Sequence, residues 1–189
     1  MKAFKTVVSL GAIAILTFSL FSACGTNYTV DISNMPAAQK EQHEKLLKEY
    51  QDKYDAEQDE DKKAEYASEI GFRYMNLGQY GKAIKYYKEV LAAFPSDYTA
   101  LTNLSVMCEE VGEIEKALEY QQRIYENDSL NPNVIARTIK LLAKNYQFDD
   151  AVSVLETFAK TDAAKDNVLF ISDQFSFIQE ERNKAAASN

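Results

Sequence analysis

Apolar residues recur at helical spacing along most of this chain. Ile70, Tyr74 and Leu77 are four and three apart, which places them on one face of a helix. Tyr80, Ala83, Ile84, Tyr87 and Leu91 form a second such face. Gly78 stands between the two, where a helix stop favours a residue that tolerates positive φ. Pro95 closes the second helix. Nothing alternates with period two over a useful length, so strands are not expected. The pattern then returns. Ala83, Ala117 and Ala151 fall 34 apart, as do Tyr80, Ile114 and Phe148. Leu77 with Val111, Gly78 with Gly112, and Ile70 with Leu104 keep the same step. A fixed period of this size is the mark of stacked repeats. Helix pairs are predicted at 63–77 with 80–93, 97–111 with 114–127, and 133–145 with 148–160.

The first unit, 64–97, resembles the tetratricopeptide repeat at Ile70, Gly71, Tyr74, Leu77, Gly78, Tyr80, Ala83, Tyr87 and Pro95. The second unit, 98–131, keeps Leu101, Leu104, Val111, Gly112, Ile114, Ala117 and Ile124. It departs at Cys108, where the family has tyrosine, and its proline, Pro132, falls three places late. The third unit, 132–165, keeps Ile135, Leu142, Phe148, Ala151, Leu155 and Phe158, with Asn145–Tyr146 in place of the Leu–Gly pair. The resemblance implies an all-α fold, an α-solenoid of three stacked helical hairpins across 63–165. It says little about the biological task.

The flanks extend this plan. Residues 37–62 are charged helix formers with Leu47, Tyr50 and Tyr54 on one stripe, predicting a leading helix packed weakly on the first repeat. Its acidic end, Glu57, Asp59, Glu60 and Asp61, reads as solvated, because it lacks the alternating oxygen ligands and glycine turn of a calcium loop. His43, the single histidine, reads as a surface residue. Residues 166–183 predict a capping helix that packs through Val168, Ile171, Phe175 and Ile178, with Phe170 and Phe177 on a flanking face. Residues 184–189 should fray.

The N-terminus changes the picture of where the domain sits. MKAFK precedes the uncharged run Thr6 to Ala23, a secretory signal pattern over residues 1–23. Ser22–Ala23–Cys24–Gly25 resembles the bacterial lipobox, with Phe21 where leucine is usual. The resemblance implies a lipoprotein with palmitate-type acylation at Cys24, anchored in the cell envelope. Gly25 after the cysteine favours an outer membrane, facing the periplasm. Residues 24–36 then read as a tether, reaching roughly 40 Å if extended.

Charge and composition narrow the function. The net charge is -8, and it is more acidic still without the leader's Lys2 and Lys5. An acidic domain does not seek nucleic acid or anionic membrane nonspecifically. Catalytic sets need a histidine with a nucleophile, a phosphate loop or a metal spacing, and none is found, so neither enzyme activity nor a cofactor or metal is expected. Cys108 reads as a small apolar core residue.

Binding is the class that remains. By resemblance to the repeat family, the first helix of each unit lines a concave groove. The places carried over are Phe72, Met75 and Asn76, then Thr102, Asn103 and Val106, then Arg137, Lys140 and Lys144. This groove runs from apolar to basic. A five-residue carboxylate clamp known in one subfamily would need matches at Ser68, Phe72, Asn103, Asn133 and Arg137. Two match, Asn103 and Arg137, so the clamp is not implied. The expectation is a non-catalytic, membrane-tethered adaptor for a segment of another envelope protein. The alternative is a self-associating component that forms a homo-oligomer through Phe170, Phe177 and the leading helix.

Overall fold

A computed structural model describes residues 28–188. The leader and Cys24 lie outside these residues. Eight α-helices and one 3-10 helix run through the described chain: α1 (Ala37–Ala56), α2 (Glu60–Asn76), α3 (Tyr80–Ala93), α4 (Tyr98–Glu110), α5 (Ile114–Asn127), α6 (Pro132–Lys144), α7 (Phe148–Ala159), the 3-10 turn Asp162–Asp166, and α8 (Val168–Ala187). The chain divides into two compact units, one ending at Gly112 and one beginning at Glu113.

In the N-terminal unit α1 packs on α2, α2 on α3, and α3 on α4. Small residues set how closely α2 and α3 approach. Ala67 and Ala83 are fully buried. A Cβ at Gly71 would sit 3.2 Å from the Tyr87 ring, so glycine makes room for that buried aromatic. Ile70, Ile84, Leu101, Leu104 and Met107 fill the seams, and Cys108 is fully buried among them. Val90 is buried, whereas Leu91, expected on the inner face of α3, is half-buried.

The leading helix departs from expectation in three ways. It ends at Ala56 rather than running to residue 62. The reason is capping. The Asp59 carboxylate accepts hydrogen bonds from the Asp61 and Lys62 amides and starts α2, and the Glu57 carboxylate accepts from the Gln58 and Asp59 amides. Within the acidic cluster, three of whose four residues are exposed, Glu57 and Asp59 thus serve as turn and cap acceptors. The helix is also firmly seated. Gln51 donates to the Tyr74 hydroxyl at 2.8 Å, Tyr54 donates to Glu89 at 2.8 Å, and the Tyr54 and Tyr86 rings meet edge to face at 5.8 Å. Finally, the stripe of Leu47, Tyr50 and Tyr54 extends one turn further to His43, which is only 8% exposed.

Residues 28–36 are not a free tether. The Val30 amide donates to the Gly78 carbonyl at 2.8 Å, and the Gly81 amide donates to the Tyr28 carbonyl at 3.0 Å. This short backbone pairing straps the chain onto the turn between α2 and α3. Asp31 then accepts from the Ser33 amide at 2.8 Å, a local turn that leads into α1.

In the C-terminal unit α5 packs on α6, α6 on α7, and α8 on both α6 and α7. Pro132 is the first residue of α6, after Asn131, whose side chain accepts from the Asn133 amide. The late proline therefore starts a helix instead of ending one. Gln121 is buried and donates to the Thr138 hydroxyl at 3.2 Å and the Val134 carbonyl at 3.3 Å.

The capping helix α8 sits in a different register from the expected one. Phe170 meets Phe158 edge to face at 5.8 Å, Ile178 is fully buried, and the Arg182 guanidinium lies 5.7 Å from the centre of the Phe148 ring. That turns Val168 and Phe175 outward, at 66% and 49% exposed, with Leu169 beside them at 80%. Phe170 and Phe177, on the flanking face, are half-buried. The helix continues to Ala187 through the positions expected to fray, where Lys184 pairs with Glu180 at 2.8 Å and Glu181 at 2.9 Å.

Candidate functional site

The nine predicted groove positions fall on three helices in the two units. Phe72, Met75 and Asn76 lie in the last two turns of α2, and Thr102, Asn103 and Val106 lie along α4, all in the N-terminal unit. Arg137, Lys140 and Lys144 lie along α6 in the C-terminal unit.

On α2 the site is partly built already. The Arg73 guanidinium lies 4.8 Å from the Phe72 ring centre, and the His43 ring approaches the same ring edge to face at 6.4 Å. Arg73 is held in place by Glu69 at 2.7 Å. Phe72 thus presents one exposed face and packs the other against α1. Burial and the neighbouring Arg73 charge both push the His43 imidazole below its ordinary pKa, so the neutral ring is favoured. Met75 is half-buried, and the Asn76 side chain donates back to the Phe72 carbonyl at 2.8 Å.

On α4 the three positions are half-buried. The Asn103 side chain donates to the Tyr87 hydroxyl at 2.7 Å, which ties α4 to α3. Burial pushes the Tyr87 phenol up, so this hydroxyl stays protonated. Asn103 therefore has a structural partner within its own unit. The Thr102 hydroxyl oxygen is buried without a hydrogen-bond partner among the described residues. Tyr80, at the start of α3, bonds Glu110 at the end of α4, and burial holds the Tyr80 phenol well above its ordinary pKa.

On α6, Lys140 and Lys144 are exposed one turn apart, and Arg137 precedes Lys140 by three residues. The three make a basic stripe along one face of the helix. A cation stripe of this kind suits a carboxylate or an acidic peptide segment.

The sequence reading missed two features. One is the His43–Phe72–Arg73 contact. The spacing of four between His43 and Leu47 carried its signal, because it continues the apolar stripe of α1. The other is a cleft of about 270 Å³ lined by Tyr54, Glu60, Lys63, Glu89 and the alanines Ala64, Ala67, Ala92 and Ala93. Lys63 reaches over the Tyr54 ring at 5.1 Å, and the Tyr54 phenol is pushed up to about 12 by burial and its bond to Glu89. Among the described residues, no group of three or more His, Cys, Asp or Glu is placed to hold a metal ion, and no helix is long and apolar enough to cross a membrane.

Comparison with known proteins bears on the fold. The family model of the tetratricopeptide repeat matches residues 70–132. Among solved structures, a crystal structure of MamA is similar with TM-score 0.55 and 17% identity, covering 84% of this chain and 98% of that one. A second structure, MamA AMB-1, is similar with TM-score 0.54 and 19% identity, covering 78% of this chain and 86% of that one. No curated protein matches. At such identities the likeness is one of fold: all-α, in the α-solenoid class built from helical hairpins.

Proposed function

We propose that this chain, which matches the tetratricopeptide-repeat model over residues 70–132, works as a non-catalytic adaptor, held to a membrane by lipid on Cys24, that grips a segment of another cell-envelope protein. The repeat fold supports the coarser role of a protein-interaction scaffold. The finer reading is supported by the first helices of the repeats, which offer chemically distinct surfaces: Phe72 and Met75 on α2, and the Lys140–Lys144 stripe on α6. The observation that carries it is that stripe, exposed cations on an otherwise acidic chain. The lipobox-like Ser22–Ala23–Cys24–Gly25 supports the tether and an envelope location.

The test has two arms. Cells fed labelled palmitate should label the chain and recover it with membranes, and Cys24→Ser should abolish both. Lys140→Glu with Lys144→Glu should weaken capture of the partner while shifting stability by under about 0.5 kcal/mol. Unchanged capture would remove the stripe from the binding surface.

A second reading, self-association, is favoured by the outward face of α8, where Val168, Leu169 and Phe175 are exposed together. It expects a mass that rises with concentration in light scattering. A clean monomer up to about 100 µM would exclude it.

A further inference from the structure

The strap at residues 28–32 changes what a lipid on Cys24 would do. Only three residues, Gly25, Thr26 and Asn27, separate that cysteine from Tyr28, whose carbonyl accepts from the Gly81 amide. Four residue steps span at most about 14 Å of extended chain. A lipid on Cys24 would therefore be attached within that reach of the turn between α2 and α3.

The chemistry of the strap fits the same conclusion. From Tyr28 to Gln39 there is one charged residue, Asp31, and its carboxylate is occupied by the Ser33 amide and hydroxyl. Val30, Pro36 and Ala37 are exposed beside it. Charge becomes dense only from Lys40 onward, along α1 and away from the anchoring point. Gly78 is built for the strap. Its φ is +68°, and a Cβ there would meet the Val30 carbonyl oxygen at 2.3 Å. An L side chain at 78 could not coexist with Val30 in its present place.

We infer that the strap and the α2–α3 turn form a membrane-apposed face, which seats the first repeat directly against the phospholipid headgroup surface that carries the Cys24 lipid. The inference rests on the lipid-anchor reading above. It gives the N-terminal unit a fixed orientation, with the start of α1 next to the bilayer. The far end of α1, a helix of 20 residues, stands about 30 Å away.

The chain has no tryptophan, so one introduced indole reports alone. Full-length lipidated Asn34→Trp and Asp55→Trp are placed in phosphatidylethanolamine–phosphatidylglycerol vesicles that carry a headgroup spin label. Asn34 is exposed beside the strap, and Asp55 is exposed near the end of α1. The indole at 34 should be quenched several-fold more than the indole at 55. A Gly/Ser insert of about twenty residues between Asn27 and Tyr28 adds roughly 25 Å of reach and should erase the difference. Equal quenching of the two probes without the insert, in protein that floats with the vesicles, overturns the seated face alone. Protein that fails to float overturns the anchor reading and this inference with it. Amide exchange at Val30 and Gly81 is read on the same samples. Slow exchange at both is expected, and exchange as fast as that of an open chain overturns the strap whatever the membrane result.

Discussion

The turns that join the two helices of a repeat can be compared across the two units, because the chain solves the same geometric problem with different residues. After α2, Gly78 takes φ +68°, its amide donates to the Met75 carbonyl at 3.0 Å, and the Gln79 amide donates to the Tyr74 carbonyl at 2.9 Å. After α6, Tyr146 takes φ +58°, with matching bonds from its own amide to Ala143 at 3.0 Å and from the Gln147 amide to Leu142 at 2.8 Å. These are the same left-handed helix stop, with the same carbonyls satisfied. The backbone demands the conformation in both places, yet only the first has glycine. What differs is the neighbour. At Gly78 the Val30 backbone occupies the place of a side chain. At Tyr146 the side chain points outward, 75% exposed, with its ring 6.4 Å from Phe148. Gly112, at φ +82°, is intermediate: it needs the conformation, but a Cβ would meet nothing within 4 Å among the described residues. Positive φ alone makes glycine favourable. A second chain segment makes it obligatory.

The largest effect should follow from Gly78→Ala, which adds left-handed strain and expels Val30. Losing the strap's two backbone bonds as well, the variant should lose roughly 2–4 kcal/mol in denaturant unfolding. A loss equal to that of Gly112→Ala would mean that the strap contributes nothing. Gly112→Ala should itself lose only about 1 kcal/mol, the cost of the conformation without a clash. Tyr146→Gly runs the other way. Relief of strain, offset by unfolded-state entropy and the lost ring contact, should leave a gain below about 1 kcal/mol. A clear loss there would assign the Tyr146 ring a packing role that its exposure does not suggest.

The smallest effect is the pH dependence of α1 docking. The His43 pKa is lowered in the folded state, so the unfolded chain binds the proton more readily. The stability this contact supplies is complete above the ordinary imidazole pKa of about 6.5 and declines as pH falls below it toward the folded value. A melting series from pH 8 to pH 5.5 should show a shallower acid slope for His43→Gln than for the parent chain. Identical slopes would mean that the ring is solvated.

The repeat phase was legible because it is carried by side-chain volume at fixed steps. Ala83, Ala117 and Ala151 are all fully buried. The helix spans followed from the same pattern together with the glycine stops. The strap was not legible, since its hold on the turn is backbone to backbone and leaves no periodicity in residues 28–32. The break at 57–59 depends on which carboxylate caps which amide, and a run of acids offers several choices. The register of α8 was ambiguous in the sequence because Phe170, Ile171, Phe175, Phe177 and Ile178 allow two overlapping stripes. Phe158, on another helix, selects between them. The groove positions were carried over by resemblance, and the bond from Asn103 to Tyr87 is a packing detail that the resemblance does not carry.

The adaptor reading is tested most directly by photo-crosslinking in living cells, with the reactive group placed at Met75, Lys140 or Leu169. The account predicts one envelope protein captured from both Met75 and Lys140 and absent from Leu169. Self-adducts at Leu169, with Met75 and Lys140 silent, would contradict it and leave self-association as the working surface of the molecule.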